Sequence, residues 1–148
     1  MILQSFTIYD IFKRNAMLYG DRTALVSGEK RTTYKQLLSE VNALAAGLAA
    51  KGVGHGDRIG VLALNHEKFF HIFGAAAALG AIASPVNWRL STEEIRYVLK
   101  DSSPSVLVVD KKHLDKVFEI TEKGPFQIAS ENVVCFEEND GGAKTIDN

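Results

Sequence analysis

Asn87, Trp88 and Arg89 follow Pro85 and Val86 at the end of a short apolar run, Ala81-Ile82-Ala83-Ser84. An indole beside a guanidinium offers a stacking face next to a planar fork that can grip phosphate or carboxylate through two hydrogen bonds. The loop closes a strand read as parallel, and open α/β sheets hold their ligands at that end. The same residues admit a structural reading, in which Trp88 packs on the domain and Arg89 pairs with Glu93 one helical turn later. Side-chain chemistry leaves the two readings level.

Other combinations resolve more simply. His66-Glu67 and His71 resemble a zinc-protease helix, but that motif needs histidines four apart. Five positions rotate about 500°, so the two side chains diverge by roughly 140°. Gly52, Gly54 and Gly56 alternate like a phosphate loop, yet they close a helix and precede a strand, the reverse of an anion cradle. Glu93 and Glu94 fall in the first turn of a helix, where the macrodipole and a capping box favour acids without any catalytic role. Cys135 sits in an apolar run with no neighbouring His or Lys, the setting of an inert buried thiol. No catalytic residue and no metal ligand is assigned.

The elements that position the Asn-Trp-Arg loop follow from periodicity. Thr7 with Asp10 caps a first helix that ends at Tyr19-Gly20-Asp21. Residues 23–27 and 31–33 read as a hairpin around Gly28-Glu29-Lys30, and Thr33 with Gln36 caps a helix over 34–51 whose apolar face carries Leu37, Val41, Ala45 and Leu48. Residues 58–64 and 105–109 are nearly unbroken apolar runs, the pattern of strands buried on both faces, and 81–84 is a shorter one. Asn65 is the expected N-cap of a helix over 66–79 that stops at Gly80, and Ser91 with Glu94 caps the helix after the loop. Residues 114–120 permit a short helix and 133–136 a further strand. Strands alternating with helices give an α/β class, a parallel sheet with flanking helices plus an N-terminal β-hairpin.

Composition narrows the function classes. The 148 residues suit one domain, and a net charge of -1 with acids and bases interleaved leaves no electrostatic footprint for nucleic acid. A single cysteine excludes an internal disulfide and suits a reducing compartment. No stretch approaches the roughly 18 apolar residues of a membrane span, and the N-terminus lacks the pattern of a signal peptide. The expectation is a cytoplasmic protein with no transmembrane segment.

Several segments in order resemble the N-terminal region of the adenylate-forming acyl-CoA synthetases. They are Tyr19-Gly20-Asp21-Arg22-Thr23-Ala24-Leu25, Thr33-Tyr34, Lys51-Gly52-Val53, Gly56-Asp57-Arg58-Ile59-Gly60-Val61, and Leu79-Gly80-Ala81 through Pro85-Val86-Asn87-Trp88-Arg89-Leu90. The resemblance implies a flavodoxin-like layer of a larger enzyme that joins a carboxylate to ATP with Mg, releases pyrophosphate, and passes the acyl group to coenzyme A. The family's Ser/Thr/Gly-rich phosphate loop, its aromatic-Thr-Glu motif and its lysine-bearing C-terminal domain are not found in these residues. The chain is therefore expected to be an N-terminal fragment that binds no cofactor and catalyses nothing alone. Its partners would be the remainder of the same enzyme and, through the exposed apolar surface, further copies of itself.

By the same resemblance, Arg89 matches an arginine that contacts the 3′-phosphate region of coenzyme A in some members, which tips the balance toward a functional role. Residues 1–136 are expected to form a partial α/β subdomain and 137–148 a polar loop or disordered tail. Two alternatives remain. One is a fragment of an adenylation domain that loads a carrier protein, although such domains more often follow this strand with Pro-hydrophobic-Asp. The other is a free-standing α/β binding module.

Overall fold

The computed structural model of the protein describes residues 6–122, 126–136 and 143–145. Helix α1 (Ile8–Tyr19) leads into an antiparallel hairpin of β1 (Thr23–Ser27) and β2 (Lys30–Thr33), followed by the long helix α2 (Tyr34–Ala50). Then β3 (Arg58–Leu62), α3 (Lys68–Leu79), β4 (Ile82–Pro85), α4 (Thr92–Ser102), β5 (Val106–Asp110), α5 (Leu114–Glu122), β6 (Val133–Phe136) and β7 (Ala143–Thr145) alternate along the chain. The sheet order is β4-β3-β5-β6-β7, with β4, β3, β5 and β6 parallel and β7 antiparallel at one edge.

Alternate residues of each central strand serve opposite layers. Val61, Val106, Val108 and Val134 face α2 and α3, where they meet Ala45, Leu48, Ile72 and Ala75. Leu62, Leu107, Val109 and Val133 face α4 and α5 and pack with Ile95, Leu99, Val117 and Ile120. Ile95, Leu99, Leu107 and Ile120 are fully buried, so both faces are dry cores, each buried Leu or Ile contributing about 1.5–3 kcal/mol. Helix α1 lies outside this sandwich, against α2 and α3.

The three capping boxes form as expected: Thr7 with Asp10, Thr33 with Gln36, and Ser91 with Glu94. Gly52 (φ 84°) and Gly80 (φ 67°) follow α2 and α3 in left-handed conformation, which L-residues adopt only at a cost.

Three local expectations are corrected. Asn65 does not cap α3; the helix begins two residues later, and the Lys68 N–H donates to His66 Nδ1 at 3.2 Å. The imidazole, just ahead of the helix, accepts from its first N–H. The strand over 58–64 ends at Leu62, because the Leu64 N–H leaves the ladder and donates to Asp110 Oδ2 at 2.8 Å. Within the tail expected to be loop, Ala143–Thr145 pairs with β6, since β6 would otherwise present an unpaired edge. Residues 137–142 and 146–148 of that tail lie outside the described residues.

Candidate functional site at the strand ends

The winding of the sheet reverses between β3 and β5. The chain leaves β3 for β4 on one side, then returns past β3 to add β5 on the other. The carboxyl ends of strands at such a reversal are the usual ligand position in this architecture.

The loop after β4 reaches the end of β5, where Trp88 meets His113. Val86 is buried, and its N–H donates to the Val61 carbonyl at 2.8 Å, which holds the loop base to the sheet. Asn87 Oδ1 accepts from the Arg89 N–H (3.0 Å), and the Asn87 carbonyl accepts from the Leu90 N–H (3.2 Å). This Asx-type turn is why Asn suits the position. Leu90 is held from the other side, where Lys116 Nζ of α5 donates to its carbonyl at 2.6 Å.

The turn leaves Trp88 half-buried against the α4–α5 core and Arg89 exposed. The Arg89 guanidinium carbon lies over the Trp88 ring, 4.4 Å from its centroid, a cation–π arrangement. Glu93, the alternative partner, pairs with Arg96 instead. Arg96 is itself buried, and its Nε donates to the Ile120 carbonyl at 3.4 Å. The Arg89–Glu93 pairing is therefore overturned, while the packing of Trp88 on the domain is present.

Asp110 and His113 belong to the same place and went unassigned from the sequence. Asp110, the last residue of β5, is only 2% exposed. Its Oδ2 accepts the Leu64 N–H, and its Oδ1 accepts both the His113 N–H (3.1 Å) and the His113 ring at Nδ1 (2.5 Å). The His113 ring then lies 6.1 Å from the Trp88 ring, tilted by 53°. A carboxylate ending an otherwise apolar strand, Val106-Leu107-Val108-Val109-Asp110, with histidine three residues on, was a usable signal: a buried charge demands partners.

The remaining candidates have structural partners. His71 is buried, with Nε2 2.5 Å from Glu40 Oε2 and Nδ1 3.2 Å from the Glu67 carbonyl. The His66 ring packs 5.5 Å from that of Phe136, so the two histidines serve different neighbours. Glu67 is tied to the hairpin through Lys30 (3.0 Å). Burial pushes its carboxyl upward, but the Lys30 and Ser27 hydrogen bonds outweigh this and hold it below the usual glutamate range. Glu94 serves the α4 capping box, and Cys135 is buried in β6. Among the described residues no three His, Cys, Asp or Glu side chains converge on a metal position, and no helix is long and apolar enough to cross a membrane.

Comparison with known proteins agrees with the geometry. The chain is 35% identical over 121 residues to a long-chain-fatty-acid–CoA ligase of Thermus thermophilus, covering 79% of this chain and 22% of that one. It is 36% identical over 104 residues to the fatty acid–[acyl-carrier-protein] ligase ScoC of Streptomyces coeruleorubidus, covering 70% and 19%. The crystal structure of a Mycobacterium tuberculosis fatty acyl CoA synthetase superposes with a TM-score of 0.78 at 27% identity, covering 88% of this chain and 26% of that one. The chain thus spans about a fifth of the length of the curated relatives it matches. Residues 12–145 match the family described as AMP-binding enzyme. That match runs from within α1 to β7 and takes in the strand-end loops, and with it the chain belongs to the AMP-binding enzyme family.

Proposed function

We propose that the chain serves an ATP-dependent acid–thiol ligase, which activates a fatty or aryl carboxylate as its acyl-adenylate and transfers it to coenzyme A. The observation that carries this reading is the Asn87–Arg89 loop, which leaves the carboxyl end of β4 and carries an exposed arginine over Trp88, in a chain of this family. Arg89, exposed and held over Trp88, is the residue we assign to a coenzyme A phosphate. The stacked pose keeps its N–H fork preorganised for an anion.

The test is Arg89→Ala in the full-length enzyme. A charge-assisted contact to phosphate is worth about 1.5–3 kcal/mol, so affinity for coenzyme A should fall about tenfold or more. Acyl-adenylate formation, followed by pyrophosphate exchange, should stay near its original rate. Equal losses in both half-reactions would reject the assignment.

ATP and Mg belong to the same proposal, held by parts of the enzyme other than the described residues, which offer no carboxylate cluster for the cation. The isolated chain should therefore neither bind Mg-ATP with micromolar affinity nor release pyrophosphate. Calorimetric titration and a pyrophosphate assay test this. A cytoplasmic location fits a reaction drawing on ATP and coenzyme A, and localisation of a tagged enzyme by microscopy would check it.

Self-association of the isolated chain belongs to the same reading. Ile82 on edge strand β4, Phe70 on α3 and Val26 on the hairpin are each at least half exposed, and apolar surface beside a strand edge favours association. Light scattering should give a mass of at least a dimer. A monomer mass at high concentration would reject this part.

A second reading has support of its own. The 36% identity to a carrier-protein ligase keeps transfer to a carrier-bound thiol as the alternative to coenzyme A. Offering both acceptors to the acyl-adenylate separates the two.

A further inference from the structure

We infer that Asp110 and His113 are positioning residues that set the pose of Trp88, and through it the aim of Arg89. The inference rests on the reading of Arg89 just given, and its evidence is the chain of contacts that links three strand-end loops.

Asp110 is the fixed point. Its carboxylate is almost wholly buried at the end of β5 and accepts from Leu64, just past β3, and from two groups of His113. A carboxylate taken from water keeps its charge only when such donors surround it. The bond to the ring defines the imidazole's orientation, because Nδ1 must carry the proton that Asp110 Oδ1 accepts. Nε2 is then free of that task.

The ring, held at one end, presents its side to Trp88, and Trp88 carries the Arg89 guanidinium. Lys116 restrains the loop's far end at the Leu90 carbonyl. Without His113 the indole would be confined only by the α4–α5 core beneath it, and the guanidinium on its face would move with it.

Two measurements test the inference. Trp88 is the single tryptophan of the chain, so its fluorescence reports the loop directly. His113→Gln removes the ring beside the indole, and His113→Phe keeps a ring that cannot donate to Asp110. Acrylamide quenching of Trp88 should increase in His113→Gln, with a smaller increase in His113→Phe, while circular dichroism stays unchanged. In the full-length enzyme, His113→Gln should raise KM for coenzyme A about fivefold to tenfold with kcat and pyrophosphate exchange retained. Combined with Arg89→Ala it should add little, because both act on one contact.

Unchanged quenching in both His113 variants would overturn the positioning role. A loss shared equally between coenzyme A use and pyrophosphate exchange would also overturn it, as general damage. Increased quenching together with an Arg89→Ala enzyme that uses coenzyme A normally would uphold the positioning of Trp88 and reject the reading of Arg89.

Discussion

The Arg89 guanidinium lies over the Trp88 indole, 4.4 Å from its centroid. Lys cannot reproduce the planar fork that this places over the ring. An ammonium is a compact, strongly hydrated point charge without a fork. Arg89→Lys should therefore lose about half of what Arg89→Ala loses in coenzyme A binding free energy, about threefold or more in affinity. Steady-state KM for coenzyme A at saturating ATP and acid measures it, and full activity in Arg89→Lys would show that charge alone suffices.

Two glycines inside helices should respond to alanine with opposite signs. A Cβ on Gly47 of α2 would meet nothing within 4 Å, whereas one on Gly74 of α3 would lie 2.8 and 3.0 Å from the Val41 methyls and 3.2 Å from Phe12. Gly47→Ala should stabilise by about 0.5–1 kcal/mol through helix propensity and a less flexible unfolded chain. Gly74→Ala should destabilise by about 1–3 kcal/mol, because it forces apart the α1–α2–α3 contact. Urea unfolding midpoints decide both, and a stabilising Gly74→Ala would contradict the packing described.

The buried His71 imidazole depends on Glu40 for its Nε2 partner. Glu40→Ala should leave that nitrogen buried and unpaired at a cost of about 1–3 kcal/mol. His71→Ala should cost about 2–4 kcal/mol, because a void is added to the lost bond. Thermal or urea melts of the two variants should rank in that order.

Acid should weaken the first turns of α1 and α4. The Asp10 carboxyl is held below its usual range by Lys13 and then by the Thr7 backbone and hydroxyl. Glu93 is held down by Arg96, and Glu94 by the Ser91 N–H and hydroxyl. A depressed folded-state pKa means that the unfolded chain binds more protons in the interval, so stability rises with pH there. The contribution is complete above the ordinary values, 3.8 for Asp10 and 4.5 for the glutamates, and is lost as pH falls through the lower folded values. Glu93 and Glu94 are exposed and Asp10 is half-buried, so the effect is modest and shrinks with salt. Melting temperatures between about pH 6 and 3 should decline less steeply in Ser91→Ala than in the parent chain.

Much of the fold was legible because its determinants are local. A capping box spans three residues, a left-handed glycine ends a helix within one turn, and an unbroken apolar run such as Val106-Leu107-Val108-Val109 admits only a strand covered on both faces. From these the hairpin, the helices and the parallel strands follow, as does the placement of the Asn87–Arg89 loop at a strand's carboxyl end. The tertiary structure alone decided which partners meet. Leu64 and Asp110 are 46 positions apart, and only the order β4-β3-β5 brings their strand ends together. Arg89 had Glu93 within one turn, yet Arg96, anchored at the Ile120 carbonyl of α5, took that acid and left Arg89 to Trp88. Sequence spacing names the groups that could pair. Burial and the packing of distant elements select among them, because each charge settles where its desolvation is best offset.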